Sequence, residues 1–193
     1  AMRTVPMPGR IWIIETGISH KLTGGELNAR RAECEAALAA LHARWPDLKS
    51  LAEVPVGALP DALAMLPENL ARRTRHVVTE TARVHAAVDV LSAGNLAELG
   101  RLLVAGHDSL RVDYESSCPE ADTIVASAVA RGAYGARLTG AGWGGAVLML
   151  APTDREHEVV DAVAADFNER YGRTPLTWAT AAAAGVQRES IPQ

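Results

Sequence analysis

Gly140-Ala141-Gly142-Trp143-Gly144-Gly145 is the stretch of this 193-residue chain best suited to chemistry. Four glycines in six residues make a backbone that takes positive φ freely, leaves its N–H groups uncovered and lets an anion or another chain come close. The spacing fits Gly-x-Gly-x-x-Gly, but dinucleotide loops of that form open a helix whose N-terminus receives the pyrophosphate. Here the glycines run into Ala146-Val147-Leu148-Met149-Leu150, a short apolar run that reads as a buried strand. A phosphate loop ending in Lys and Ser/Thr is excluded too, because no lysine follows the glycines. Strand, glycine loop, strand remains, with a plain wide hairpin as the rival reading.

Other reactive residue types fall into less promising patterns. His107-Asp108-Ser109 holds the three residue types of a hydrolase triad, yet neighbours on a helix project about 100° apart and cannot converge on one atom. Helix surface or interhelical hydrogen bonding is the expected role. The six histidines show no metal-ligand spacing. Cys34 and Cys118 have no Cys-x-x-Cys partner, which argues against zinc and against a disulfide framework. Pro55-Val56-Gly57-Ala58-Leu59 lacks the serines and lysine of a phosphate loop. Arg72-Arg73-Thr74-Arg75-His76 reads as the solvated face of a helix.

The elements that must position the glycine loop follow from periodicity. Arg10 to Thr16 reads as a buried strand closed by Gly17, and Leu27, Cys34, Leu38, Leu41 and Trp45 mark a helix that begins at Glu26. The proline-rich stretch 47–67 reads as loops around a short helix near Asp61 to Met65. Glu68 to Ala93 carries the stripe Leu70, Val77, Val84, Val88, Leu91, with Gly94 as its stop. Asn95 caps the next helix, and Ser117-Cys118-Pro119-Glu120 has the form of a capping box opening another. A helix from about Thr153 to Tyr171 and a strand from Pro175 to Thr180 follow the hairpin. Strands at the start, middle and end with helices between them predict an α+β fold: a small, largely antiparallel sheet covered by helices.

Composition narrows the class. A length of 193 residues allows one sizeable core or two small ones, and a net charge of −4 leaves no footprint for nucleic acid or an anionic membrane. Ile11-Trp12-Ile13-Ile14 is too short for a signal sequence or a membrane span, and a reducing cytoplasm fits the two cysteines. Ala1 ahead of Met2 reads as a remnant of tag cleavage on a chain that starts inside a longer protein.

Three segments, in order, resemble galactokinases, members of the small-molecule kinase superfamily that includes homoserine, mevalonate and phosphomevalonate kinases. Leu138-Thr139-Gly140-Ala141-Gly142-Trp143-Gly144-Gly145 is similar to that superfamily's third, glycine-rich motif. The run from His107 to Glu120, with its Ser-Cys-Pro-Glu, resembles the helix-to-helix segment of galactokinases. Glu26-Leu27-Asn28-Ala29-Arg30-Arg31-Ala32-Glu33-Cys34 resembles the family's Glu-Tyr-Asn-x-Arg-Arg-x-Glu-Cys helix start.

The resemblance covers only a C-terminal half, from about Ile11 onward, and implies a ferredoxin-like domain, with 1–193 a single unit. It implies transfer of the ATP γ-phosphoryl group to a sugar 1-hydroxyl, with ATP and Mg as cofactors of the full-length enzyme and none held tightly by this chain alone. The serine-rich phosphate loop, the catalytic Asp and most sugar contacts belong to an N-terminal half with no counterpart here. The isolated chain is therefore expected to be inactive, and none of its residues is nominated as catalytic. By resemblance, Gly140, Ala141, Gly142, Trp143, Gly144 and Gly145 support the phosphate loop of that half, with Cβ atoms at Gly140, Gly142 or Gly144 obstructing its approach. Leu27 stands where the family places a sugar-contacting tyrosine, and Thr16-Gly17-Ile18-Ser19-His20 departs from the family's strand-end pattern. Loss of a hydroxyl and a stacking face at Leu27 leaves the sugar open. The implied partners are the missing half, a small sugar and, through an exposed docking face, a second copy. The alternative is a ligand-sensing module without turnover.

Overall fold

The computed structural model describes residues 5–7, 9–18 and 25–183. Ala1, Met2, Ser19 and His20 lie outside the described residues. Four strands, β1 (Ile11–Glu15), β2 (Gly135–Thr139), β3 (Ala146–Leu150) and β4 (Thr177–Thr180), form one sheet in the order β2-β3-β1-β4. Every neighbouring pair is antiparallel. Five helices separate β1 from β2: α1 (Gly25–Leu41), α2 (Leu59–Ala64), α3 (Glu68–Ser92), α4 (Leu96–Val112) and α5 (Pro119–Ala130). A sixth, α6 (Glu156–Tyr171), joins β3 to β4. With α5 and α6 as the crossover helices, the strand order is that of a ferredoxin-like β-α-β-β-α-β unit carrying α1 to α4 as an insertion.

Alternation along the strands explains which face is covered. Trp12 and Ile14 lie opposite Met149 and Val147, which in turn lie opposite Ala136 and Leu138, and all six are buried. They pack with Ile124 and Val125 of α5 and with Val159, Val163 and Phe167 of α6. A separate cluster, Ala37, Leu41, Leu51, Val54, Ala62 and Val78, joins α1 to α3 through the proline-rich stretch, which folds as two 3-10 turns and α2.

The two parts meet where α4 lies along β2, a strand at the sheet's edge. Gly100 of α4 and Gly135 of β2 touch backbone to backbone: a Cβ on Gly100 would sit 2.1 Å from the Tyr134 carbonyl, and one on Gly135 2.0 Å from the Gly100 carbonyl. Further along, the buried His107 accepts the Leu138 N–H at Nδ1 (3.2 Å) and donates from Nε2 to Asp122 (3.1 Å). An edge-strand amide that would otherwise face nothing is thus satisfied by a helix side chain. Interhelical hydrogen bonding is the role of the apparent triad, with Asp108 exposed.

Three expectations need correcting. Val84, placed in the apolar stripe of α3, is 55% exposed, while Ala71, Arg73, Thr74, His76 and Val78 form the buried face. The stripe failed because α3 turns polar residues inward, where partners await them. Ser117 and Glu120 do not form a capping box: Cys118 is the N-cap without a side-chain bond, Ser117 donates to Asp122 (2.5 Å), and Glu120 pairs with Arg173 at 3.5 Å. Pro119, the first helical residue, brings one orphan N–H fewer to this helix start. Nor is the Arg72–His76 run a solvated face, since Arg73, Thr74 and His76 are all buried.

Candidate functional site

The β2–β3 hairpin carries the glycine loop at its tip, and every glycine in the loop has positive φ: 82° at Gly140, 97° at Gly142, 139° at Gly144 and 79° at Gly145. Trp143 joins them at 55°. Side-chain-bearing residues resist this region by roughly 1–2 kcal/mol, so the sequence supplies glycine at almost every position the turn demands.

Two segments of this same chain hold the loop. On one side the Trp143 N–H donates to the Ser116 carbonyl at 2.6 Å, and a Cβ on Gly142 would lie 2.4 Å from that oxygen. On the other, the Gly145 N–H donates to the Ile18 carbonyl (3.0 Å), while the N–H and Oγ1 of Thr16 both donate to the Gly145 carbonyl (2.8 and 2.9 Å). A Cβ on Gly144 would sit 2.7 Å from the Ile18 carbonyl. The expectation that a Cβ at Gly140, Gly142 or Gly144 would obstruct an approaching backbone therefore divides. At Gly142 and Gly144 the obstructed backbone belongs to this chain, whereas Gly140 has nothing within 4 Å.

The Ser116 segment is itself buckled. Glu115 and Trp143 are the two non-glycine residues with positive φ among those described, and Glu115 directly precedes Ser116, whose carbonyl accepts from Trp143. Arg73, 2% exposed, donates to Glu33 (2.6 Å), to Glu115 (2.6 Å) and to the Asp113 carbonyl (2.5 Å). Arg72 adds a bond to Glu115 (2.7 Å), and Arg30 bonds the Tyr114 carbonyl and Glu33 (both 2.8 Å). Burial opposes ionisation of Glu33, but hydrogen bonds from Arg73 and Arg30 outweigh it and hold its carboxyl below the usual range. The Arg73 hydrogen bond does the same for Glu115. This explains the α1 sequence: Arg30 and Glu33 belong to the buckle, whereas Arg31 pairs with Glu35 on the exposed face.

A cleft of about 420 Å³ opens between α1, α3, α4 and the loop. Leu27, Gly140 and Ala141 all line it, so two of the segments singled out in the sequence meet there, with Leu27 42% exposed. Gly142 to Gly145 do not line it. The N–H groups of Gly140, Ala141 and Gly142 have no acceptor among the described residues. Sequence reasoning missed much of the wall, including His76, Glu80, Thr81 and Tyr114, and placed Val77 and Val84 in the core. No local signal could have found them, because Val84 reads as core by its spacing and only the fold leaves it open.

Residues 86–169 match the family model for the C-terminal region of GHMP kinases. The galactokinase of Chloroflexus aggregans is 39% identical over 187 residues, spanning 95% of this chain and 48% of that protein. That of Streptomyces coelicolor is 38% identical over 181 residues, 93% of this chain and 46% of its own length. The crystal structure of Lactococcus lactis galactokinase complexed with galactose matches with a TM-score of 0.85 at 33% identity, over 96% of this chain and 47% of that one. Mevalonate kinase of L. major, solved with R-mevalonate, shares the fold at a TM-score of 0.57 and 24% identity, over 94% and 46%. The chain spans about half the length of the curated relatives it matches. With the GHMP kinase C-terminal model matching residues 86–169 and galactokinases matching nearly its whole length, the chain belongs to the galactokinase family as its C-terminal domain.

Proposed function

We propose that residues 1–193 form a single domain supplying one wall of the nucleotide and sugar cleft of an ATP-dependent sugar 1-kinase, whose other wall is an N-terminal half. The observation that carries this reading is the meeting of Leu27 with Gly140 and Ala141 in one cleft, in a domain so similar to that of the galactose-bound relative. In the proposed reaction the sugar's anomeric oxygen bonds to the γ-phosphorus of ATP as the bond to the β–γ bridging oxygen breaks. ADP leaves, and the hydroxyl proton passes to a base outside this chain.

The role of this chain is positional. The loop keeps a fixed shape because Ser116 and Ile18 hold it, and it offers free amides at Gly140 to Gly142. Such donors suit a phosphate oxygen or the carbonyls of a loop that holds the phosphates. In this reading Mg²⁺ would be held by the nucleotide phosphates and by residues of the other half. Leu27 lies at the sugar side of the cleft. Leu176 and Trp178 near the sheet's β4 edge are exposed apolar surface for the partner half or for self-association without it. Among the described residues no helix is long and apolar enough to cross a membrane. A reducing cytoplasm belongs to the same proposal, and Cys34 and Cys118 are free.

The test is to express this chain alone and fused behind the N-terminal half of the Chloroflexus aggregans galactokinase, then to measure ADP release with D-galactose and a panel of other aldoses. The chain alone is expected to give none and the fusion measurable turnover. A folded fusion that binds a sugar without turnover points instead to ligand sensing, and one that binds no sugar overturns the reading.

A further inference from the structure

The open tip of the glycine loop hangs between two anchors. Before it, the Leu138 N–H donates to Nδ1 of His107 (3.2 Å); after it, the Trp143 N–H donates to the Ser116 carbonyl (2.6 Å). The ladder with β3, from Gly135 opposite Leu150 to Thr139 opposite Ala146, fixes β2 only against its own hairpin partner. It leaves open where the hairpin stands relative to the turn between α4 and α5 that carries Ser116.

The His107 ring spans that gap. A backbone N–H can only donate, so Nδ1 is unprotonated and the ring proton sits on Nε2. Nε2 lies 3.1 Å from Asp122 Oδ1, and the same oxygen accepts from Ser117 Oγ at 2.5 Å. Burial disfavours the Asp122 carboxylate, but hydrogen bonds from His107 and Ser117 outweigh it and hold its carboxyl below the usual range. The bonds therefore run from Leu138 through one imidazole and one carboxylate to Ser117, the neighbour of the residue that holds Trp143. His107 is 2% exposed, so water offers no easy substitute for either of its bonds.

We propose that His107 is a positioning residue: through Leu138 on one side and Asp122 with Ser117 on the other, its ring sets the spacing of the two anchors and thereby places the amides of Gly140 to Gly142. The coupling of the anchors belongs to this chain alone, whereas its consequence for catalysis rests on the kinase reading. His107 does not line the cleft, so it acts through the loop and touches no substrate. Donors stabilise developing charge only from the right place, and a misplacement of about 1 Å can cost on the order of a hundredfold in rate.

Two variants separate the two arms. Asn carries an acceptor where Nδ1 stood and Gln a donor where Nε2 stood, so His107→Asn keeps the Leu138 bond and loses Asp122, while His107→Gln does the reverse. Val163→Ala opens a cavity in the core at α6 and supplies a loss of stability that spares all of these bonds. In the ¹⁵N-labelled chain, Trp143 amide exchange is expected to rise about tenfold in both His107 variants relative to Val147, and Leu138 exchange to rise only in His107→Gln. In the fusion with the Chloroflexus aggregans half, both are expected to lower kcat by about ten- to a hundredfold with the sugar KM within about threefold. Val163→Ala, compared at similar loss of Tm, is expected to keep kcat near that of the unmodified fusion. Trp143 exchange and kcat that move in the His107 variants no further than in Val163→Ala overturn the proposal. So does a His107→Asn that behaves as the unmodified chain, because the Asp122 arm is then idle. An unmodified fusion that turns over no sugar sinks the kinase reading instead, and Trp143 exchange in the chain alone then decides the coupling.

Discussion

Gly140 and Gly142 stand two residues apart in one loop, both with positive φ, yet they are glycines for different reasons. Gly142 lies against the Ser116 carbonyl, in the half of the loop fixed by Ser116, Thr16 and Ile18; Gly140 faces the cleft, with nothing near its missing Cβ. The fixed half gives the loop its shape, and the open half presents backbone to whatever enters. A run of glycines is thus not one device but two, distinguished only by what folds against each residue.

The strongest way to break this comparison is to remove what fixes the first half. Arg73→Ala removes the buried guanidinium that joins Glu33 to Glu115, leaving only the more exposed Arg30 and Arg72 beside them, and frees the Asp113 carbonyl. Removing one partner of a buried pair typically costs 3–5 kcal/mol, and the partial exposure of both carboxylates here puts the expectation at the low end, roughly 3–4 kcal/mol in denaturant unfolding. In a sample kept folded by low temperature, amide exchange at Trp143 is expected to accelerate more than at Leu138 or Val147. Uniform acceleration would mean that the buckle stabilises the domain without governing the loop.

Gly142→Ala attacks the same half from the loop. The left-handed φ costs about 1–2 kcal/mol for a residue with a Cβ, and the 2.4 Å approach to a backbone oxygen adds about 1–3 kcal/mol of overpacking. Lower entropy of the unfolded chain returns about 0.4–1 kcal/mol. A net loss of about 2–3 kcal/mol is expected, readable as a fall in Tm.

On the open side, His76 links the cleft to pH. Its folded pKa of about 4 lies below the ordinary 6.5, so the unfolded chain binds the extra proton first. The stabilisation is complete above about pH 6.5 and is lost as pH falls from there towards 4. Each pKa unit corresponds to about 1.4 kcal/mol, which gives roughly 2–3 kcal/mol over that window. Glu80 and Asp113 favour the charged ring, while Arg83 and Arg137 oppose it, but desolvation dominates. His76→Phe is expected to flatten the slope of unfolding free energy between pH 6.5 and 4. The steeper loss below it, where Glu33, Glu80 and Glu115 protonate, should persist.

How far the sequence foretold this division depends on the range of the interaction. The glycine hairpin, the end of α3 and the start of α4 were legible because each is coded by neighbours: clustered glycines, the Gly94 stop, an Asn95 whose side chain accepts the Glu98 N–H at 3.1 Å. The resemblance, and not the periodicity, singled out Leu27 alongside the loop, and the fold brings Leu27, Gly140 and Ala141 to one cleft. Arg73 was not, because its carboxylate partners lie 40 and 42 residues away, and a run of three arginines in four residues looks solvated until those partners arrive. The same holds for His107, whose roles on Leu138 and Asp122 depend on an edge strand that forms far along the chain. Ser117 shows the converse: a local signature satisfied in sequence, then overruled when Asp122 offered a charged acceptor.

Gly140→Ala is the smallest change and the one that sharpens the comparison most. With nothing within 4 Å of the new methyl group, only the left-handed backbone opposes it, by about 1–2 kcal/mol, of which the unfolded-state term returns about 0.4–1 kcal/mol. A net loss near 1 kcal/mol is expected, less than half that of Gly142→Ala two residues on, with Trp143 exchange unchanged because the bond to Ser116 is untouched. In the galactokinase fusion the ranking should reverse relative to stability: a methyl group at Gly140 intrudes where backbone amides face the cleft, so turnover should fall further than the stability loss accounts for. Equal stability losses at the two glycines would mean that φ alone explains both and that the contact with Ser116 counts for little. Unequal losses with untouched turnover in the Gly140 variant would keep the fixed half as described and deny the open half its part in catalysis.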